Sequence, residues 1–240
     1  MAYDAGIHNS DLEATRTRLL KGNSYADCSC GVITPTRGFI HARIVQCHKA
    51  LIAPANQKFT WIYLVGLEVG DAYSQAVEMV LSNPELSTWK YLAFVEDDNA
   101  PPPDGLLKLI ESLEGGVDGI KYDGISGLYF CKGPGGCSQI WGDINDPVEN
   151  YRPQIPIVDS VQPCYGIGNG FALFRLSMFK DVRWEKPFFK TAQEYIPGIG
   201  SKGSTQDLYM CHKARALGYK FAVDTRVRVG HYDSGTDQMW

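Results

Sequence analysis

Nowhere does the sequence hold about 18 consecutive apolar residues, the length a membrane-spanning helix needs. The stretch around His8, Asn9, Asp11 and Glu13 is too polar for the core of a secretory signal, so the expectation is a soluble, cytoplasmic protein. Basic runs and tails are missing. Lys and Arg total 23 against 27 Asp and Glu, a net charge of −4, which disfavours a surface that grips nucleic acid through many phosphates. A local basic patch stays open. The seven cysteines, at 28, 30, 47, 131, 137, 164 and 211, contain no C-x-x-C pair, so a zinc knuckle is not expected and the thiols read as reduced and buried. No Gly-x-Gly-x-x-Gly follows the first strand candidate, and there is no Gly-x-x-x-x-Gly-Lys loop. The dinucleotide fingerprint and the phosphate loop of the nucleotide triphosphatases are therefore both absent.

What is present is a 240-residue chain with 44% hydrophobic residues, enough for a sizeable core. Ser10-Asp-Leu-Glu13 has the form of a capping box before a short helix through Leu20. Strand candidates at 30–34, 59–65 and 91–95 alternate with helical spacings over 40–52, after Asp71, and after Asp104. Asp71 and Asp104 are the expected caps. That alternation predicts an α/β fold with a mostly parallel central sheet flanked by helices. The pattern then changes. Ile125 to Cys131 reads as a strand, Lys132-Gly-Pro-Gly-Gly136 as a turn, and Ser138 to Trp141 as its returning partner. Residues 145–163 read as a long loop, 171–174 as a strand before a short helix, and 206–217 as a helix ended by Gly218. Strands over 220–223 and 227–230 close the chain. The expected organisation is one domain over 1–240, with an α/β half of nucleotide-binding type at about 28–115 and a mixed half at about 116–240, which the resemblance given below implies is acceptor-facing.

Four groups of residues carry chemistry. Tyr91-Leu-Ala-Phe-Val95 runs straight into Glu96, Asp97 and Asp98, and adjacent carboxylates are costly unless a cation or basic group neutralises them. Oxygen ligands suit Mg²⁺ or Mn²⁺, which share their sites with substrate phosphates. A solvated acidic turn is the plainer alternative. Thr205-Gln-Asp207 opens a helix, where a carboxylate either favours the dipole or serves as a general base. His231 follows Gly230 at a strand end and suits either a metal or a simple hydrogen bond. Gly166-Ile-Gly-Asn-Gly170 gives either a close backbone approach to a ligand or a plain turn.

In this order the motifs resemble a glycosyltransferase of the GT-A fold, close to the large family-two type, over residues 28–233. Thr34, Pro35, Thr36 and Arg37 are similar to that family's nucleotide-binding segment. Glu96, Asp97 and Asp98 look like its Asp-x-Asp motif, with Glu in the first acidic place. Gly168, Asn169 and Gly170 resemble the segment beside the donor sugar. Asp207 matches the catalytic base of inverting members, although Gln206 stands where an acid is usual. His231 matches the late histidine of the metal site. The resemblance implies transfer from a nucleoside-diphosphate sugar, a UDP-sugar by expectation, to an acceptor hydroxyl with Mn²⁺ or Mg²⁺. Asp98 and His231 would hold the metal, with Glu96 as a further ligand or Glu96 and Asp97 assisting, and the anomeric carbon would invert. The acceptor stays open among a glycan, a small molecule, a protein and a modified nucleobase. A nucleotidyltransferase ranks second and a non-catalytic carbohydrate-binding module third.

Overall fold

The computed structural model describes residues 27–197 and 200–240. The expected helix over 10–20 lies outside them. Strand β1 (Cys30–Thr36) leads to helix α1 (Ala42–Ala50), then β2 (Phe59–Val65), α2 (Val69–Ser82) and β3 (Tyr91–Val95). The short β4 (Asn99–Ala100) precedes α3 (Gly105–Leu113), β5 (Gly124–Leu128), β6 (Ile140–Trp141), β7 (Val161–Cys164), β8 (Gly166–Ile167) and β9 (Phe171–Arg175). Then come α4 (Leu176–Phe179), the antiparallel pair β10 (Ala192–Ile196) and β11 (Gly200–Ser204), and α5 (Gln206–Ala216). The chain closes with β12 (Phe221–Arg228), β13 (Gly230–Asp233) and β14 (Gln238–Met239).

Seven strands form one sheet in the order β2-β1-β3-β9-β5-β12-β7. Five run one way, while β9 and β7 run the other, so the sheet is mostly parallel as the sequence predicts. Every residue of β1 and β3 is buried, which fits the unbroken apolar run of β3 and the apolar stretch Cys30 to Ile33 that begins β1. Alternate residues supply opposite faces. On one face Ile33, Leu92, Phe94, Phe174 and Phe221 pack with Tyr73, Ala76 and Val77 of α2 and Met210 of α5. On the other, Val32, Tyr91, Ala93, Val95 and Leu173 pack against Leu106, Leu109, Ile110 and Leu113 of α3. Both faces of the sheet are therefore covered by helices.

Several local expectations change. Helix α2 begins before Asp71, because Glu68 is its N-cap and accepts the Asp71 amide at 3.0 Å. Asp104 does occupy the N-cap of α3, but its side chain makes no capping bond; its carboxylate faces the buried Lys108 ammonium at 2.9 Å. Ser138 meets Phe130 only in an isolated bridge, and Ile140–Trp141 pairs with β8 rather than with the preceding strand. The 220–223 strand runs on to Arg228, and Gly230 opens a separate strand. That strand, β13, pairs antiparallel with β4, matching Gly230 to Ala100 and His231 to Asn99. The pairing carries His231 to the acidic segment after β3, and the Tyr232 amide fixes it there by donating to the Asp98 carbonyl at 2.7 Å.

Candidate functional site

The C-terminal ends of β1, β2 and β3 open onto one cleft of about 390 Å³. Pro35, Thr36 and Arg37 line it from the end of β1, and Leu67, Glu68 and Val69 from the entry to α2. Glu96, Asp97 and Asp98 line it after β3, and Gln206 from the start of α5. This edge is where an α/β sheet presents ligand-binding loops. Two helices, α2 and α5, also begin at the rim, and their N-terminal dipoles favour an anionic ligand.

The three adjacent acids point at three different sets of neighbours. Glu96 Oε1 accepts the Tyr73 hydroxyl at 2.7 Å. Burial first, and the Asp98 charge second, push the Glu96 carboxyl up to about 7 against that bond, and Asp207 adds to the push. Asp97 faces Thr36 and the Arg37 amide; burial raises it, and those two donors pull it back. Asp98 is half-buried. Burial pushes it up, but His231 and Lys132 outweigh that and hold it below the usual carboxylate range.

His231 Nδ1 lies 2.8 Å from the Phe130 carbonyl, which only accepts, so that nitrogen carries the proton. Nε2 then faces Asp98 Oδ2 at 3.6 Å: with its proton it pairs with that carboxylate, and when a cation displaces the proton its lone pair and Oδ2 aim at one point. Two acceptors aimed at one point suit a cation, and Lys132 Nζ sits 2.5 Å from the same Oδ2. Among the described residues there is no cluster of three or more His, Cys, Asp or Glu side chains able to hold a metal. A divalent ion would thus take two ligands from these side chains, and substrate oxygens and water would have to complete it, as is common for hard cations beside phosphates.

The glycine segment lies beneath the cleft rather than on its wall. A Cβ at Gly168 would run into the Tyr129 hydroxyl, and one at Gly170 would come within 2.7 Å of Asn99 Oδ1 and Tyr129 Cζ. These glycines therefore make room for Tyr129, whose hydroxyl accepts the Gly170 amide at 2.9 Å and whose ring meets His231 edge-on at 5.5 Å. The close approach that these glycines permit in this structure is to Tyr129, the aromatic neighbour of His231. The Gly170 carbonyl also accepts the Glu96 amide at 3.0 Å, tying the segment to the acids. Asn169 is 1% exposed, and neither polar atom of its amide has a protein partner among the described residues. Orphaned buried polar atoms are costly and mark places where water or a ligand completes the set.

Asp207 is buried in the first turn of α5. It accepts the Thr205 hydroxyl and the Leu208 amide, the latter at 2.8 Å. Burial raises its carboxyl above the ordinary value, and those bonds moderate the rise. Thr205 occupies the N-cap, but its hydroxyl serves Asp207 rather than the backbone. Thr34 departs from its expected place: it is fully buried in β1 and accepts the Trp61 indole N–H at 2.9 Å, so it does not line the cleft.

No protein-family model matches the chain, and no curated protein matches its sequence. Solved structures do match in shape. "Crystal Structure of A197 from STIV" superposes with a TM-score of 0.57 at 15% identity, over 88% of this chain and 92% of that one. "Crystal structure of GalNAc-T7 with UDP, GalNAc and Mn2+" superposes with a TM-score of 0.52 at 11% identity, over 85% of this chain and 43% of that one. The chain has a GT-A-like fold. At these identities the likeness concerns the path of the backbone alone. Among the described residues no helix is long and apolar enough to cross a membrane.

Four neighbours of the expected residues carry no motif of their own. Tyr73 is a mid-helix aromatic of the core, Tyr129 lies inside the 125–131 strand candidate, Lys132 opens a turn, and Glu68 stands three residues before Asp71, the expected cap. Only Gln206 carried a signal, as the residue beside Asp207.

Proposed function

We propose that this chain is a GT-A glycosyltransferase, one domain across its length, which moves a sugar from a UDP-sugar to an acceptor hydroxyl with help from Mn²⁺ or Mg²⁺. The observation that carries the reading is the convergence of Asp98 Oδ2 and His231 Nε2 on one point beside the cleft that Arg37, Thr36 and Asp97 line. The GalNAc-T7 neighbour, solved with UDP, GalNAc and Mn²⁺, supports it.

Asp98 and His231 would hold the cation. When bound, it would act as a Lewis acid toward the departing diphosphate. Thr36, Arg37 and Asp97 would orient the nucleotide half of the donor. The unpartnered Asn169 amide, whose backbone lies against Asp207, would accept and donate to sugar hydroxyls. Asp207 would take the proton as the acceptor oxygen bonds to the anomeric carbon and the bond from that carbon to the diphosphate oxygen breaks. Its raised affinity for protons makes it a stronger base than an ordinary carboxylate, and the attack would invert the anomeric carbon. Glu96, held by Tyr73, would set the negative potential behind Asp98 rather than bind the metal itself.

A thermal-shift screen of nucleotide sugars with and without Mn²⁺ tests this, since a ligand that binds only the folded chain raises its melting temperature. Stabilisation by a UDP-sugar that requires Mn²⁺ is expected. Stabilisation only by nucleoside triphosphates would replace the reading with a nucleotidyltransferase.

A further inference from the structure

Lys132 has no part in the mechanism above, yet it touches the residue placed at the metal. Its Nζ is 2.5 Å from Asp98 Oδ2, the oxygen that His231 Nε2 faces at 3.6 Å. One carboxylate oxygen thus meets both an ammonium and the nitrogen turned toward the cation's place. An ammonium and a divalent ion repel at such separations in a half-buried site. The two therefore compete for Oδ2.

The loop that carries Lys132 permits it to move. It is pinned at its base, where the Cys131 amide donates to the Cys137 carbonyl at 2.9 Å and the two thiol sulfurs lie 3.5 Å apart. Beyond the base, Gly133 and Gly135 adopt left-handed φ values of 99° and 75°. No atom lies within 4 Å of where a Cβ would stand on either. The tip therefore has open space around Gly133 and Gly135, and the Lys132 side chain beside it is about a third exposed, with solvent on one side to turn into. The charge balance supplies a destination. The site already holds Asp97, Asp98 and Asp207, and a nucleoside diphosphate leaves with more negative charge than one divalent ion offsets. Arg37 lines the cleft on the β1 side, and Lys132 stands at its Asp98 end.

Building on the transferase reading, we infer that Lys132 is a tethered cation with two positions. It holds Asp98 before the metal arrives. When the metal takes Asp98, Lys132 turns onto the diphosphate of the donor, so one side chain both competes with the metal and binds the leaving group.

Mn²⁺ binding, followed by electron paramagnetic resonance without nucleotide, separates the two positions in wild type and Lys132→Ala. UDP binding at saturating Mn²⁺, followed by calorimetry, completes the test. The variant should bind Mn²⁺ about twofold to fivefold more tightly, as expected from losing a partly exposed ion pair. It should bind UDP about tenfold more weakly, the scale of one charge-assisted bond. Binding of Mn²⁺ by the variant alone supports the competition outright. Equal Mn²⁺ affinity in the two proteins overturns the first position while leaving the metal reading intact, and equal UDP affinity overturns the second. If neither protein binds Mn²⁺, the metal reading falls and the exchange falls with it. Lys132→Gln, which keeps the side-chain length, replaces the alanine variant should that one melt early.

Discussion

The two ends of strand β3 carry charge in opposite ways. At the Tyr91 end, one carboxylate meets three donors: Glu114 accepts the Tyr91 hydroxyl at 2.5 Å and pairs with Arg175 at 2.7 Å and Lys90 at 3.1 Å. At the Val95 end, Glu96, Asp97 and Asp98 crowd together with Asp207 nearby, and the basic partners named there are Lys132 and His231. Burial pushes both Glu114 and Glu96 up. At Glu114 the donors win and hold it below its ordinary value, whereas at Glu96 burial and the Asp98 charge carry it to about 7. A satisfied buried carboxylate is part of the scaffold. Carboxylates left short of positive charge need a cation from outside, and that is the physical signature of a site.

The strongest challenge to this contrast comes from the acids near the cleft. Asp207→Asn should lower transfer by roughly 10² to 10⁴, the scale of a lost general base, while leaving Mn²⁺-dependent UDP binding unchanged in calorimetry. Undiminished turnover would remove Asp207 from that role. Asp98→Ala should fail differently: transfer falls by roughly 10² to 10³ and the Mn²⁺-dependent stabilisation by UDP disappears from the melting curve. A variant still stabilised by UDP only when Mn²⁺ is present would move the metal away from Asp98.

The smallest effect sharpens the comparison most, because the two ends of β3 should respond to pH with opposite signs. Glu114 has a lowered value in the fold, so its contribution is present above the unfolded value and lost as pH falls through the folded one. Glu96 is raised from 4.5 to about 7, so the folded chain holds a proton that the unfolded chain has released, and stability from this group declines as pH rises across that window. Chemical denaturation without added metal checks both. Glu114→Gln should cost roughly 2–3 kcal/mol at neutral pH and less in acid, since it leaves buried donors short of a charge. Glu96→Gln should instead gain on the wild type as pH rises from 4.5 to about 7. Parallel pH profiles for the two variants would erase the distinction between scaffold and site.

Much of the first half was legible because its pattern is local. Strands over 59–65 and 91–95 fall where apolar β-formers predict them, and helix α2 between them follows its apolar spacing from a slightly earlier start. The later half was harder. Strand β9 enters the sheet between β3 and β5, antiparallel to both, and no local pattern names such partners. The β10–β11 pair lies in a stretch with no strong apolar alternation, so it carried no strand signal. At the site, the acids after β3 stood out because like charges rarely sit side by side without cause. Thr34 was drawn into the expected nucleotide segment by its neighbours, but strand alternation turns it into the sheet, against Trp61. Lys132 and Tyr129 looked like a turn lysine and a strand aromatic. Their meaning is the distance each keeps from Asp98 and His231.

The sequence by itself determined the alternation of strands and helices, the three acids released at the end of a buried strand, and the carboxylate opening a late helix. These follow from side-chain periodicity and from the cost of adjacent like charges, both properties of neighbours along the chain. Only the tertiary structure decided which acid meets which partner. The pairing of β4 with β13 brings His231 to Asp98, and the Phe130 carbonyl turns the imidazole so that Nε2 faces the carboxylate. The loop after β5 sets Lys132 on the same oxygen. Such contacts join residues far apart in the chain, and their energies depend on distance and burial, which exist only once the sheet has formed.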